Sequence, residues 1–150
     1  MSRQNQMPQQ ALTNTQTVQK FFEAQYAGDF DLAFQAYAQP HFQWVVASSS
    51  NEALRAAIPW AGYIHQGKEG YIRLMSLLFS EFEALEFEPS RYTDAGDRVF
   101  VEGHFVFRHR TTGKIADSDW VARFDMDTGR IAGGQFYENT ASIAEERRAA

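Results

Sequence analysis

Two runs of alternating apolar and polar residues, 99–110 and 115–126, flank the segment Thr111-Thr112-Gly113-Lys114. Side chains on a strand alternate between two faces, so each run reads as a β-strand with one buried face. The intervening glycine makes the pair an antiparallel hairpin. Read as a two-residue loop at Thr112-Gly113, the hairpin sets Arg108 opposite Asp117 and Glu102 opposite Arg123 on the polar face. The apolar face then pairs Val101 with Phe124, Gly103 with Ala122 and Phe105 with Trp120. One register that satisfies charge on one side and apolar contact on the other is the register to expect.

The next turn, Asp127-Thr128-Gly129, has glycine in third place, which suits a three-residue loop. That choice turns Phe136 inward beside Trp120, and Gly134 beside Ala122. A two-residue loop would turn Gln135, Tyr137 and Asn139 inward instead. The expected inner face thus has an aromatic row, Phe105, Trp120 and Phe136, next to a small-residue row, Gly103, Ala122 and Gly134. The second row, beneath covering helices, leaves room for a cavity with an apolar wall.

Upstream, the period lengthens to that of a helix. Val18, Phe21, Phe22 and Tyr26 share one face behind the capping residues Thr13, Asn14 and Thr15, and Gly28 stops the helix. A short helix bearing Phe30, Phe34 and Tyr37 begins at Asp29 or Asp31 and ends before Pro40. Residues 41–47 are strand-like, and 48–67 read largely as loop with a helical turn at 52–57. Tyr71, Leu74, Met75, Leu78 and Phe82 recur at steps of three and four as a third helix, and Leu85 and Phe87 mark a further strand. Three helices followed by an antiparallel sheet is an α+β arrangement in which helices cover one sheet face. Residues 1–12 read as a flexible arm, 13–146 as one domain and 147–150 as a frayed end. One domain is what 150 residues usually make.

Composition narrows the chemistry. The chain has no cysteine, which excludes disulfides and thiolate metal sites. A net charge of −5 argues against a nucleic-acid surface. No apolar stretch of about 18 residues occurs and the N-terminus lacks a signal-like apolar segment, so a cytoplasmic protein is expected. Aromatic residues reach 15%, with 13 Phe, 6 Tyr and 3 Trp, which implies an aromatic core or an aromatic-lined cavity.

The layout resembles a known group. Ala27-Gly28-Asp29, Pro59-Trp60-Ala61-Gly62, Gly67-Lys68-Glu69-Gly70 and Asp97-Arg98-Val99 occur in order. Thr112-Gly113-Lys114, Asp119-Trp120, Gly129-Arg130-Ile131 and Tyr137-Glu138-Asn139-Thr140 follow them. Together they resemble the SnoaL-like proteins, relatives of ketosteroid isomerases in the nuclear transport factor two-like superfamily. The resemblance covers roughly residues 14–145. It implies a cone-shaped α+β fold with a pocket between three helices and a curved antiparallel or mixed sheet, commonly in a dimer packed through the opposite sheet face. It also implies where catalytic groups would sit, and those positions hold other residues. The isomerases' oxyanion tyrosine falls at Phe21, their base near Trp44 or Val45, and their second carboxylate near Trp120. Related epoxide hydrolases' arginine and aspartate fall at Gly103 and Phe105. Their last-strand aspartate, like the polyketide cyclases' acid, falls at Phe136, and a frequent pocket histidine falls at Ala122. Acid–base chemistry needs a titratable group within reach of the substrate, and these side chains supply none.

The remaining candidates are few. His65, with Tyr63 and Trp60, stands in the loop that would rim the pocket; it is either a proton-transfer group or, the favoured reading, an exposed loop histidine. Glu138 shares the parity of Phe136, as an inward carboxylate with a raised pKa or, the favoured reading, a strand-end surface group. Asp117 and Asp119 point outward in the expected register. The four histidines lack ligand spacing, so neither metal nor cofactor is expected. Phe21, Trp44, Trp60, Gly103, Phe105, Trp120, Ala122, Gly134 and Phe136 are the expected pocket lining. The functional expectation is a binder of a small apolar organic compound, catalysing isomerisation, cyclisation or dehydration through His65, Tyr63 or Glu138. The alternative is a non-catalytic ligand-binding or dimeric interaction module. In either case a homodimer through the outer face at Val106, Val121 and Tyr137 is expected, with no nucleic-acid or membrane partner.

Overall fold

The computed structural model describes residues 11–148. Most of the expected arm and the last two residues of the expected frayed end lie outside these. Helix α1 (Asn14–Tyr26) opens on a capping box, in which the Gln16 amide donates to Thr13 Oγ1 at 3.1 Å and the Thr13 amide donates to Gln16 Oε1 at 2.9 Å. It buries Val18, Phe21 and Phe22 and ends at Gly28, whose φ of 77° suits a residue without a Cβ. Asp29 caps α2 (Phe30–Tyr37), accepting from the Leu32 amide at 3.0 Å.

Strand β1 (Ala38–Val46) follows, then α3 (Glu52–Ala57) and the short β2 (Ile64–Gln66). Helix α4 (Gly67–Glu81) leads into four long strands: β3 (Phe82–Asp94), β4 (Arg98–His109), β5 (Ile115–Asp127) and β6 (Arg130–Glu138). Helix α5 (Thr140–Arg147) closes the described chain. The six strands form one sheet in the order β2-β1-β6-β5-β4-β3, antiparallel except where β1 meets β6 in parallel. The architecture is the expected α+β cone. Beyond the expected elements, the segment 48–67 contributes β2 as well as a helical turn.

Both hairpin registers differ from expectation, yet the inward face survives. Between β4 and β5, Val101 pairs with Ala122, Gly103 with Trp120 and Phe105 with Ser118, two residues off. The loop takes four residues because the His109 amide donates to Lys114 O at 2.9 Å. The His109 ring supports it, its Nδ1 accepting from the Thr111 and Thr112 amides at 3.3 and 3.1 Å. A two-residue displacement preserves which face each side chain occupies. It does not preserve partners. Arg108 bonds Glu83 at 2.6 Å rather than Asp117, and Arg123 reaches Asp125 at 3.0 Å rather than Glu102.

The β5–β6 turn is the two-residue one, since Asp127 pairs with Arg130, with Thr128 and Gly129 at positive φ of 49° and 79°. Phe136 nonetheless faces inward. A register shift between Met126 and Asp125 skips one residue on β6, and Gly133, at φ 142°, sits in that bulge. The bulge restores the parity that the turn reverses.

The expected rows therefore do not form. Phe136 lies beside Ala122, Glu138 beside Trp120, and Gly134 beside Phe124. Nor do the two glycines open space. The Trp120 ring lies against Gly103, and Trp44 Cζ3 would be 2.9 Å from a Cβ at Gly134. Gly103 admits a large ring, and Gly134 admits the Arg123 carbonyl, which a Cβ there would strike first, as well as the edge of Trp44. Phe21 is fully buried at the centre of an aromatic cluster, with Phe34, Tyr71, Phe42 and Phe124 centroids at 5.4, 6.0, 6.1 and 6.3 Å. Phe105 is fully buried and stacks on Phe107 at 4.2 Å. Arg147, expected at the frayed end, is instead held: its Nε and Nη2 donate to Glu81 at 2.7 and 3.2 Å and its Nη1 to Ala57 O at 2.6 Å.

Candidate functional site

A cavity of about 460 Å³ lies between the helices and the inner sheet face. That is within the range of pockets that enclose small organic ligands. Its helical wall includes Phe22, Gln25, Tyr71, Leu74 and Leu78; its sheet wall includes Trp44, Phe107, Ala122, Phe124, Phe136 and Glu138. Trp60 contributes from the segment after α3. Four of the nine expected lining residues, Trp44, Trp60, Ala122 and Phe136, are thus at the wall. Phe21, Gly103, Phe105, Trp120 and Gly134 are packed away from it, because their positions are filled by other aromatic rings.

The three catalytic candidates separate. His65 is neither exposed nor at the cavity: it is 4% exposed, with Nε2 2.8 Å from Trp60 O. Since a carbonyl only accepts, Nε2 carries the proton. Burial holds the His65 pKa below its usual value despite that bond, so the ring is neutral. Its role is to tie β2 to the turn at Trp60. Tyr63 lies outside the cavity too, with the Arg55 guanidinium 3.9 Å above its ring and the His65 ring tilted against it at 4.3 Å.

Glu138 lies at the cavity wall. It is half-buried, and among the described residues no donor or cation meets its carboxylate. Desolvation alone pushes its pKa up from 4.5 to about 7. The surface-group reading therefore gives way to the inward one. Near pH 7 such a carboxyl is divided between acid and base, the condition under which one group can both accept and return a proton.

Sequence reading missed the other polar groups at this wall: the exposed Tyr26 and Glu86, and the less exposed pair Gln25 and Tyr71. Tyr71 is buried, and its hydroxyl donates to Gln25 Oε1 at 2.7 Å. Burial raises the Tyr71 pKa strongly, so the hydroxyl keeps its proton and remains the donor. The available signal was Gln25 itself, an amide three and four residues after Phe22 and Phe21 on an otherwise apolar helical stripe. Tyr71 gave no signal, since a tyrosine at helical spacing reads as core.

The outer face carries charge instead. His104 sits between Asp117 and Asp119, with Nε2 2.7 Å from one carboxylate and Nδ1 2.8 Å from the other. Its pKa is raised, chiefly by the hydrogen bond to Asp119. These groups are exposed and across the sheet from the cavity. Among the described residues, no helix is long and apolar enough to cross a membrane.

Residues 18–133 match the family model of the SnoaL-like domain. The chain belongs to the SnoaL-like family. Its fold is that of NTF2-like proteins, as the solved structures show. An NTF2-like protein from Burkholderia thailandensis E264 superposes with a TM-score of 0.77 at 23% identity, over 92% of this chain and 99% of that one. Another from Burkholderia xenovorans LB400 gives 0.74 at 23% identity, over 90% and 95%. TerC, crystallised with polyporic acid, gives 0.72 at 18% identity, over 88% and 95%. No curated protein matches the chain.

Proposed function

We propose that this SnoaL-like protein binds a small apolar organic compound in its cavity and catalyses proton transfer on it, with Glu138 as the acid–base group. The observation that carries the reading is an unpaired, half-buried carboxyl at a largely apolar wall, its pKa pushed up to about 7 by burial, whereas the wall's other carboxyl, Glu86, is exposed. Isomerisation, cyclisation and dehydration all remove a proton at one atom and deliver one at another, which in dehydration is the departing hydroxyl, leaving as water. A desolvated carboxylate suits the first step, and its conjugate acid suits the second. TerC, a structural neighbour, was crystallised with the organic compound polyporic acid, which accords with a small-molecule cavity in this fold. The same reading makes the protein a cytoplasmic homodimer, joined through the outer sheet face.

A generic proton-abstraction probe tests the reading without the natural substrate. 5-Nitrobenzisoxazole is planar and apolar; a base takes its C3 proton, the N–O bond breaks, and a coloured cyanophenolate forms. The protein should turn over this probe faster than acetate at equal concentration, with a rate that rises with pH through about 7. Glu138→Gln should lower that rate about 100-fold or more. An unchanged rate in Glu138→Gln would remove Glu138 from the chemistry. Binding without turnover would make the protein a ligand-binding module.

A further inference from the structure

Among the described residues, two buried side-chain polar atoms have no hydrogen-bond partner: Gln25 Nε2 and Trp120 Nε1. Only Gln25 belongs to the cavity wall. Its amide oxygen is already engaged, since Tyr71 donates to it at 2.7 Å. An amide has one oxygen and one NH₂ group, so with the oxygen held on Tyr71 the NH₂ is fixed beneath the wall, where it meets a ligand once the side chains covering it shift. Tyr71 is in turn locked by its ring contacts with Phe34, Phe42 and Trp44 at 5.4, 5.6 and 5.9 Å. A buried donor left unmade costs free energy, which a bound acceptor recovers. Elsewhere on the helical wall Phe22, Leu74 and Leu78 offer a ligand no hydrogen bond, and the hydroxyl of the exposed Tyr26 already donates to Phe87 O at 3.4 Å.

We infer that the Gln25 amide, oriented by Tyr71, is the specificity-determining donor of the cavity and selects ligands that carry a carbonyl-type acceptor on an apolar body. The inference rests on the cavity being a ligand site, as in the proposed function, but not on Glu138 being catalytic. Gln25 is the recognition group and Tyr71 its positioning residue. The ligand class is accordingly narrower than "small and apolar": a planar or aliphatic skeleton with one oxygen directed at α1.

A matched pair of probes separates the two ends of the cavity. 2-Acetylnaphthalene and 2-ethylnaphthalene have nearly the same shape and differ in the carbonyl oxygen. At pH 8.5, where Glu138 is chiefly carboxylate and cannot donate, the intact protein should bind the ketone about tenfold tighter by calorimetry. Gln25→Met should erase the preference while leaving the Kd for 2-ethylnaphthalene within about twofold. Because Gln25→Met strands the buried Tyr71 hydroxyl, the double variant Gln25→Met/Tyr71→Phe removes both partners together and should behave identically while folding normally. Glu138→Gln should keep the tenfold preference. A preference that survives in the double variant, or its absence from the wild type, would overturn the assignment. So would its loss in Glu138→Gln alone. Failure of the benzisoxazole reaction with the ketone preference intact would sink the Glu138 chemistry and leave Gln25 standing.

Discussion

The Trp120 indole packs against Gly103, its partner across the β4–β5 ladder, in the space a side chain at that position would need. Trp120 then stacks on Phe87 at 4.8 Å and on Phe136 at 5.3 Å. Phe136 in turn stands at the cavity wall. The glycine thus sets the depth of one side of the cavity through a chain of rings.

Gly103→Ala tests this chain. A Cβ at Gly103 would collide with the indole, and it would also come within 2.6 Å of Glu88 O, which is backbone and cannot swing away. Overpacking of this kind costs about 1–3 kcal/mol. Urea denaturation should show that loss, and the tryptophan emission of the folded state should shift as Trp120 is displaced. A stability within about 0.5 kcal/mol of wild type would mean that the sheet relaxes without resistance.

Glu138→Gln should change stability in a pH-dependent way. The folded state holds the Glu138 proton up to about pH 7, whereas an unfolded chain releases it near the ordinary 4.5. The folded form therefore binds more protons between these values, and its stability falls as pH rises through that window. Allowing for partial solvent contact, the penalty is about 1–3 kcal/mol. At pH 8 the glutamine variant should melt several degrees above wild type, about 2–4 °C per kcal/mol for a chain of this size. At pH 4 the two should coincide. Equal melting temperatures at both pH values would show that the carboxyl is not desolvated.

The outer sheet face should carry the homodimer. Val121 and Tyr137, cross-strand partners on that face, are 37% and 43% exposed. Large apolar side chains adjacent on a sheet face are a common interface core, with the charged groups at His104, Asp117 and Asp119 forming a polar rim. Sedimentation at micromolar concentration should give a dimer, and Val121→Arg should shift it to monomer without unfolding it. A wild-type monomer would refute the expectation.

Alternation along residues 99–110 and 115–126 determined which residues face inward, and helical spacing located Phe21, Phe22, Phe34 and Leu74 in the core. These are local properties. A side chain's face follows from its parity, and parity is insensitive to a register displaced by two. Sequence order therefore sufficed for the α+β arrangement and for the inward course of Phe105 and Trp120, whereas Phe136 faces inward only because the Gly133 bulge offsets the shorter turn.

Pairing did not follow from parity. It was decided by the His109 ring accepting two loop amides, and by a bulge at Gly133 that compensates a shorter turn. Whether the small residues left a void or were filled was likewise a matter of partners distant in sequence: Trp120 fills Gly103, the Arg123 carbonyl and Trp44 close on Gly134, and Ala122 alone reaches the cavity wall. The site moved for the same reason. His65 stood out by residue type, and tertiary burial turned it into a structural tie. Glu138 read as a strand-end charge, and tertiary burial gave it a cavity wall, no partner and a pKa near neutrality. Desolvation is a property of the surrounding volume, which the order of residues along the chain does not encode locally.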